Sequence, residues 1–369
     1  MSCDFLDLAL PGVQKLSPYV PGKPVAELAR ELGLDPAGIV KLASNENPLG
    51  PSPRVLQAIQ AELAELTRYP DGNGFELKKA LAERYGVEPA QVTLGNGSND
   101  VLEMIARAYL APGRNAVFSA HAFAVYPIAT QAAGAQGKVV PAAGWGHDLE
   151  AMAAAIDAET RVVFLANPNN PTGTWFGPDA LRRFLAAVPA DVLVVLDEAY
   201  IEYSGDDELP DGMQYLADHP NLLISRTFSK AYGLAALRVG YAISSVPIAD
   251  VLNRVRQPFN VGSLGLVAAC AALEDKDYLR RSRMANAAGM RQLEAGCRQL
   301  GLDWIPSRGN FLAVDFGGDA GPINQGLLRE GVIVRPVAGY GMPSFLRVSV
   351  GTEAENARFL AAAARVLDQ

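Results

Sequence analysis

The chain has 369 residues, 49% of them hydrophobic and 20% charged, and a formal net charge of -8. That length exceeds what one hydrophobic core usually holds and points to two lobes, in a composition neither disordered nor membrane-embedded. The acidic balance argues against a nucleic-acid binder, so any anionic ligand must be met by a local cluster of donors and cations.

Residues 1–11 carry Asp4 and Asp7 and have neither a basic segment nor a long apolar run, so no signal peptide is expected and the chain reads as cytoplasmic. No apolar stretch is long enough to cross a bilayer, which leaves no membrane partner. A short apolar run at 91–94 leads into Gly95-Asn96-Gly97-Ser98-Asn99 and an amphipathic helical segment at 100–110. Glycines let a backbone approach closely, and a helix N-terminus offers free N–H groups to a phosphate. There is no Walker pattern, and the third glycine of a dinucleotide fingerprint is missing.

From about 92 to 244, short β-branched runs alternate with longer amphipathic ones, the rhythm of a mostly parallel sheet flanked by helices. Buried strands are predicted at 161–166, 192–196 and 222–225. They run into Asn167-Pro168-Asn169-Asn170-Pro171-Thr172-Gly173, Asp197-Glu198-Ala199-Tyr200 and Arg226-Thr227-Phe228-Ser229-Lys230. Ligands of open α/β sheets sit beyond the carboxyl ends of strands, so the three clusters are expected to line one crevice. At 257–262 the rhythm breaks and a long helical stretch runs to about 300. We expect an arm and part of the small domain at 1–45, a large domain at 46–258, and a small α+β domain at 259–369 with strands near 311–316, 332–334 and 345–350. Cys3, Cys270 and Cys297 have no CxxC spacing and leave one unpaired in any disulfide scheme, so they read as buried free thiols. His121, His147 and His219 are scattered, and no metal site is expected.

Alone, Lys230 is an ordinary lysine near an arginine. Asp197 changes that, because a carboxylate buried at a strand end is costly without a cation. A protonated pyridine nitrogen is such a cation, and holding its proton makes the ring an electron sink. Tyr200 and Asn170 could reach a phenolic oxygen on the same ring, while Gly97, Ser98, Asn99, Thr227, Ser229 and Arg238 make a phosphate cup. Pyridoxal 5′-phosphate (PLP) has these three groups, and Lys230 is its expected anchor.

Asn170-Pro171-Thr172-Gly173, Asp197-x-x-Tyr200 and Thr227-Phe228-Ser229-Lys230 with Arg238 resemble the class I/II PLP-dependent aminotransferases. Asn45-Glu46-Asn47-Pro48, Arg68-Tyr69-Pro70 and Leu346-Arg347-Val348-Ser349-Val350-Gly351 extend the likeness over nearly the whole chain. The resemblance implies fold type I: an α/β large lobe with a mostly parallel seven-stranded sheet, a smaller α+β lobe from both chain ends, and a homodimer with a shared active site. It implies Lys230 as Schiff-base lysine and proton carrier, Asp197 on the pyridine nitrogen, and Asn170 and Tyr200 on the phenolic oxygen. Tyr69 of the other subunit would join the phosphate cup, and Phe123 would stack on the ring. Asn99 and Phe123 stand where many relatives carry an acidic residue and a tyrosine.

Arg347 resembles the family's carboxylate-binding arginine, the plainer alternative being a salt bridge on a small-lobe strand. Leu16-Ser17-Pro18-Tyr19, His121-Ala122-Phe123-Ala124-Val125-Tyr126 and Asp197-Glu198-Ala199-Tyr200-Ile201-Glu202 are similar to the branch acting on L-histidinol phosphate, although Gly339 replaces an expected Asn. For that branch Tyr19 and Arg335 would hold the substrate phosphate and Asn45 would also contact substrate, unless Arg335 merely marks a turn before Pro336. The implied substrates are a phosphorylated amino alcohol and a 2-oxo acid. L-Histidinol phosphate and 2-oxoglutarate would give imidazole acetol phosphate and L-glutamate by ping-pong transfer, in histidine biosynthesis. An aromatic amino-acid aminotransferase and a threonine-phosphate decarboxylase share these motifs and stay open.

Overall fold

The computed structural model describes residues 4–204 and 209–368. Cys3 lies outside them; Cys297 is buried and Cys270 half-buried. Strand β1 (Val40–Lys41) precedes seven strands of one sheet: β2 (Val92–Asn96), β3 (Asn115–Ser119), β4 (Gln136–Val140), β5 (Thr160–Ala166), β6 (Leu193–Asp197), β7 (Leu222–Thr227) and β8 (Val239–Ser244). Their spatial order is β2-β8-β7-β6-β5-β3-β4, with β8 antiparallel to both neighbours and every other pairing parallel. The expected mostly parallel, seven-stranded large lobe is therefore present.

Side chains alternate across this sheet as strand geometry requires. Val163, Leu165, Val194 and Leu196 enter the apolar cluster on one face; Val162, Phe164, Leu193 and Val195 enter the cluster on the other. Each such fully buried side chain contributes about 1.5–3 kcal/mol before chain entropy is counted. Helix Ser98–Tyr109 covers one face with Val101, Leu102, Ile105 and Ala106. Strand β7 runs two residues beyond its expected end, because β8 pairs Arg226 with Tyr241 and Thr227 with Gly240.

The smaller lobe has β9 (Asp303–Ile305), β10 (Phe311–Asp315), β11 (Val332–Ile333), β12 (Arg335–Pro336) and β13 (Phe345–Ser349). Four of them form an antiparallel sheet ordered β12-β13-β10-β9, while β11 pairs in parallel with β1 and ties the N-terminal segment to this lobe. The strand expected at 332–334 is seen at Val332–Ile333, and a second short strand, Arg335–Pro336, follows it in the other sheet. Helix Glu353–Leu367 closes the lobe, its start fixed by a capping box between Thr352 and Glu355.

The passage between lobes differs from the break read at 258. Helix Ser263–Glu274 gives Ala268, Ala269, Ala272 and Leu273 to a large-sheet cluster, as does Leu279 of helix Lys276–Gln299. Only from Met290, Leu293 and Cys297 onward does that 24-residue helix serve the small-lobe core. Pro258 and Gly262 mark a turn, and a continuous helix then changes cores with no break in composition.

Candidate active site

Asn170 and Lys230, beyond the carboxyl ends of β5 and β7, and Asp197, the last residue of β6, line one cavity of about 260 Å³. Parallel register sets this, with Ala166 opposite Asp197 and Asp197 opposite Ser225. Tyr200, Thr227, Ser229 and Arg238 line the same cavity, as do Ser98 and Asn99 from the helix start and Phe123 from the loop after β3. The small lobe adds Arg335 and Arg347, and the N-terminal segment adds Tyr19 and Asn45.

Gly97 sits behind this lining. It caps helix Ser98–Tyr109 at φ 78, and no side chain takes up the free N–H groups there. A Cβ at this position would lie 2.4 Å from Arg238 Nη2, so only glycine lets the guanidinium rest against the helix start. Arg238 Nη1 donates to Ala235 O at 3.0 Å and to Ser229 Oγ at 3.4 Å, and Thr227 Oγ1 accepts from Ser229 N at 3.1 Å. A positive helix end, a guanidinium and two hydroxyls make a cradle for a phosphate.

Asp197 is 5% exposed. Tyr126 donates to its Oδ2 at 2.8 Å, while Oδ1 has no partner among the described residues. Burial raises this carboxyl to about 6, opposed by the Tyr126 hydroxyl, the Ala199 N–H and Lys230. A buried carboxylate oxygen without a donor fits a pyridine N–H. Lys230 Nζ donates to Ser44 O at 3.2 Å. Burial first, then the Arg347 guanidinium, lowers the amine to about 8, with Glu46 opposing. The Tyr200 phenol is pushed up to about 12 by burial and accepts from Asn45 Nδ2 at 2.9 Å. These groups fit the ring nitrogen, phenolic oxygen, aldehyde carbon and phosphate of PLP.

Arg347 and Arg335 stand directly opposite each other across β12 and β13, both under 10% exposed. Like charges in facing positions destabilise a ladder, so the pair is suited to an anion that supplies the missing charge. Arg347 Nη1 donates to Asn170 Oδ1 at 2.5 Å and Nη2 to Ala43 O at 2.7 Å, leaving Nε without a partner among the described residues. Arg335 lies over the Tyr19 ring, 5.2 Å from its centroid. Gly173, at φ 79, brings the lobes together: Arg308 N donates to its carbonyl at 3.0 Å, and a Cβ would meet Ser307 Oγ at 2.2 Å.

Tyr69 lies outside the cavity. It is 83% exposed, lines a separate surface groove and stacks on Phe259 at 4.7 Å. Tyr126 and Ser349 escaped assignment from sequence, although both fall inside motifs that carried the resemblance. Their roles depend on Asp197 and Asn45, which are remote along the chain.

The model of the family described as aminotransferase class I and II matches residues 37–362. The chain is 77% identical to histidinol-phosphate aminotransferase 2 of Pseudomonas aeruginosa over 99% of both proteins, and 65% identical to the histidinol-phosphate aminotransferase of Stutzerimonas stutzeri over the whole of each. The crystal structure of the Sinorhizobium meliloti histidinol-phosphate aminotransferase in complex with pyridoxal-5′-phosphate superposes with a TM-score of 0.90 at 34% identity, over 97% of each chain.

Proposed function

Because the chain belongs to the class I and II aminotransferases, we propose that it transfers the amino group of L-histidinol phosphate to 2-oxoglutarate, a step of histidine biosynthesis. The observation that carries the substrate choice is the facing pair Arg335 and Arg347 at the cavity of Lys230. Arg347 takes the carboxylate of glutamate or 2-oxoglutarate with its planar fork. Arg335, with Tyr19 over its face, takes the substrate phosphate in one half-reaction and the second carboxylate of glutamate in the other.

PLP, when bound, draws electrons from the substrate's Cα–H bond so that its proton can leave. The Ser98–Tyr109 helix start, Gly97, Thr227, Ser229 and Arg238 would hold its phosphate, and Asp197 Oδ1 would receive the pyridine N–H. Asn170 and Tyr200 address the phenolic oxygen, and Phe123 packs on the ring. Lys230 would anchor the cofactor and, as a free amine, would take the proton from the substrate's Cα. An amine lowered to about 8 keeps a neutral fraction near neutral pH, as a base must. The Tyr126 hydroxyl and the Ala199 N–H keep Asp197 in place.

We further read the protein as a cytoplasmic homodimer that shares its sites. Among the described residues no helix is long and apolar enough to cross a membrane. Tyr69 is exposed, as are Leu63, Leu66 and Phe75 near it along the chain, which suits contribution to a partner's phosphate cup. Single-turnover half-reactions test the substrate assignment. L-Histidinol phosphate should convert the cofactor's absorbance far faster than phenylalanine or tyrosine, and the reverse order would make this an aromatic aminotransferase. Release of carbon dioxide from a phosphorylated amino acid would move it to the decarboxylases.

A further inference from the structure

Asn45 is 1% exposed and held in the left-handed region at φ 53, a conformation that Asn tolerates better than most residues. Its backbone N–H donates to Ser349 Oγ at 2.8 Å. That hydroxyl donates in turn to Asn45 Oδ1 at 3.0 Å, which turns the other end of the amide, Nδ2, toward the Tyr200 oxygen. A phenol that accepts from Asn45 keeps its own proton for another acceptor. Tyr200 lines the cavity, where the phenolic oxygen of the cofactor is read to lie.

We propose that Ser349 is a positioning residue that fixes the direction of the Tyr200 proton. Its hydroxyl locks the Asn45 amide, Asn45 can then only donate to Tyr200, and Tyr200 is left to donate to the cofactor. The proposal rests on the reading of Tyr200 given above. Without the hydroxyl, Asn45 Oδ1 becomes a buried acceptor with no donor, a costly arrangement. Nothing then holds the amide in one orientation, and whenever it turns over Oδ1 accepts the Tyr200 proton, which is lost to the cofactor, while Nδ2 takes the unpaired place. Ser349 and Arg347 lie two apart on β13 and so share a face. The strand that binds the substrate carboxylate therefore also sets a hydrogen bond on the cofactor.

A donor at the phenolic oxygen stabilises its anionic form and lowers the pH at which the visible absorption of the PLP-loaded protein titrates. Ser349→Ala should raise that midpoint by about one pH unit, the weight of one hydrogen bond to a charged group. Ser349→Thr, which keeps the hydroxyl, should titrate as the parent. Ser349→Cys, with similar volume and a weaker donor, should shift the same way by less and guards against misfolding of the alanine variant. Tyr200→Phe should raise the midpoint by itself, and Ser349→Ala added to it should raise it no further. A parental midpoint in Ser349→Ala beside a shifted Tyr200→Phe overturns the relay alone, as does a full extra shift in the double variant. A parental midpoint in Tyr200→Phe removes the underlying reading of Tyr200 as well.

Discussion

Gly97→Ala puts the phosphate cradle to a quantitative test. The added methyl would stand 2.4 Å from Arg238 Nη2, and its backbone would have to hold φ 78. Left-handed backbone costs a non-glycine residue roughly 1–2 kcal/mol, so a modest loss of thermal stability is expected. The clashing atom is the far end of an exposed, flexible side chain, so the guanidinium moves while the helix start stays. Losing one hydrogen bond between a guanidinium and a phosphate costs about 1.5–3 kcal/mol, which is roughly ten- to hundredfold in cofactor affinity. Fluorescence titration of the apoprotein with PLP measures this. Adding Arg238→Ala to Gly97→Ala should weaken binding little further, because both substitutions remove the same contact. An unchanged Kd in Gly97→Ala, or fully additive losses in the double variant, would refute the argument that this glycine exists to seat Arg238.

Arg347→Lys keeps the charge but loses the planar fork and cannot serve Asn170 and Ala43 together, so kcat/KM for glutamate should fall about ten- to hundredfold while the cofactor's spectrum stays unchanged. Burial holds Asp197 at about 6 against an ordinary 3.8, so the folded apoprotein binds this proton more tightly than the unfolded chain does. This group's contribution to stability therefore declines as pH rises from about 4 to 6, by up to roughly 3 kcal/mol, and stays low above that. Asp197→Asn apoprotein should accordingly melt higher than the parent at pH 7.5, with the gap closing near pH 4, and still bind PLP poorly. Gly173→Ala would drive a methyl into Ser307 and hold the small lobe off the Asn170 loop, raising KM for both substrates more than it lowers affinity for PLP.

What could be read from sequence followed the range of the interactions. Asp197 and Lys230 were legible because strand ends announce themselves locally, through a buried β-branched run followed by polar residues. The glycine before Ser98 was legible because a helix start has its own chemistry. Tyr126, 71 residues from Asp197, and Ser349, 304 residues from Asn45, were not, since no local pattern encodes the partner of a hydroxyl. Strand β8 was also missed as a partner for β7, and with it the extension of β7 to Thr227. Two-residue strands such as β1 and β11 carry too little periodicity to identify without their partners.

Helix Lys276–Gln299 runs about 36 Å at 1.5 Å per residue, with one end in each core. Near its start Ser282 Oγ donates to Ala231 O at 2.9 Å, on the residue after Lys230, and Asn47 Nδ2 donates to the same carbonyl at 2.9 Å. Mechanically this is a shaft with its bearing beside the reactive amine. A tilt of about 3° at Ser282 swings the far end, roughly 25 Å away, by about 1.3 Å. That throw is enough to make or break the contact of Arg347 with Asn170, while displacement at the bearing stays near zero. A small lobe that tilted about this bearing would settle on substrates of different length and charge without carrying Lys230 out of line.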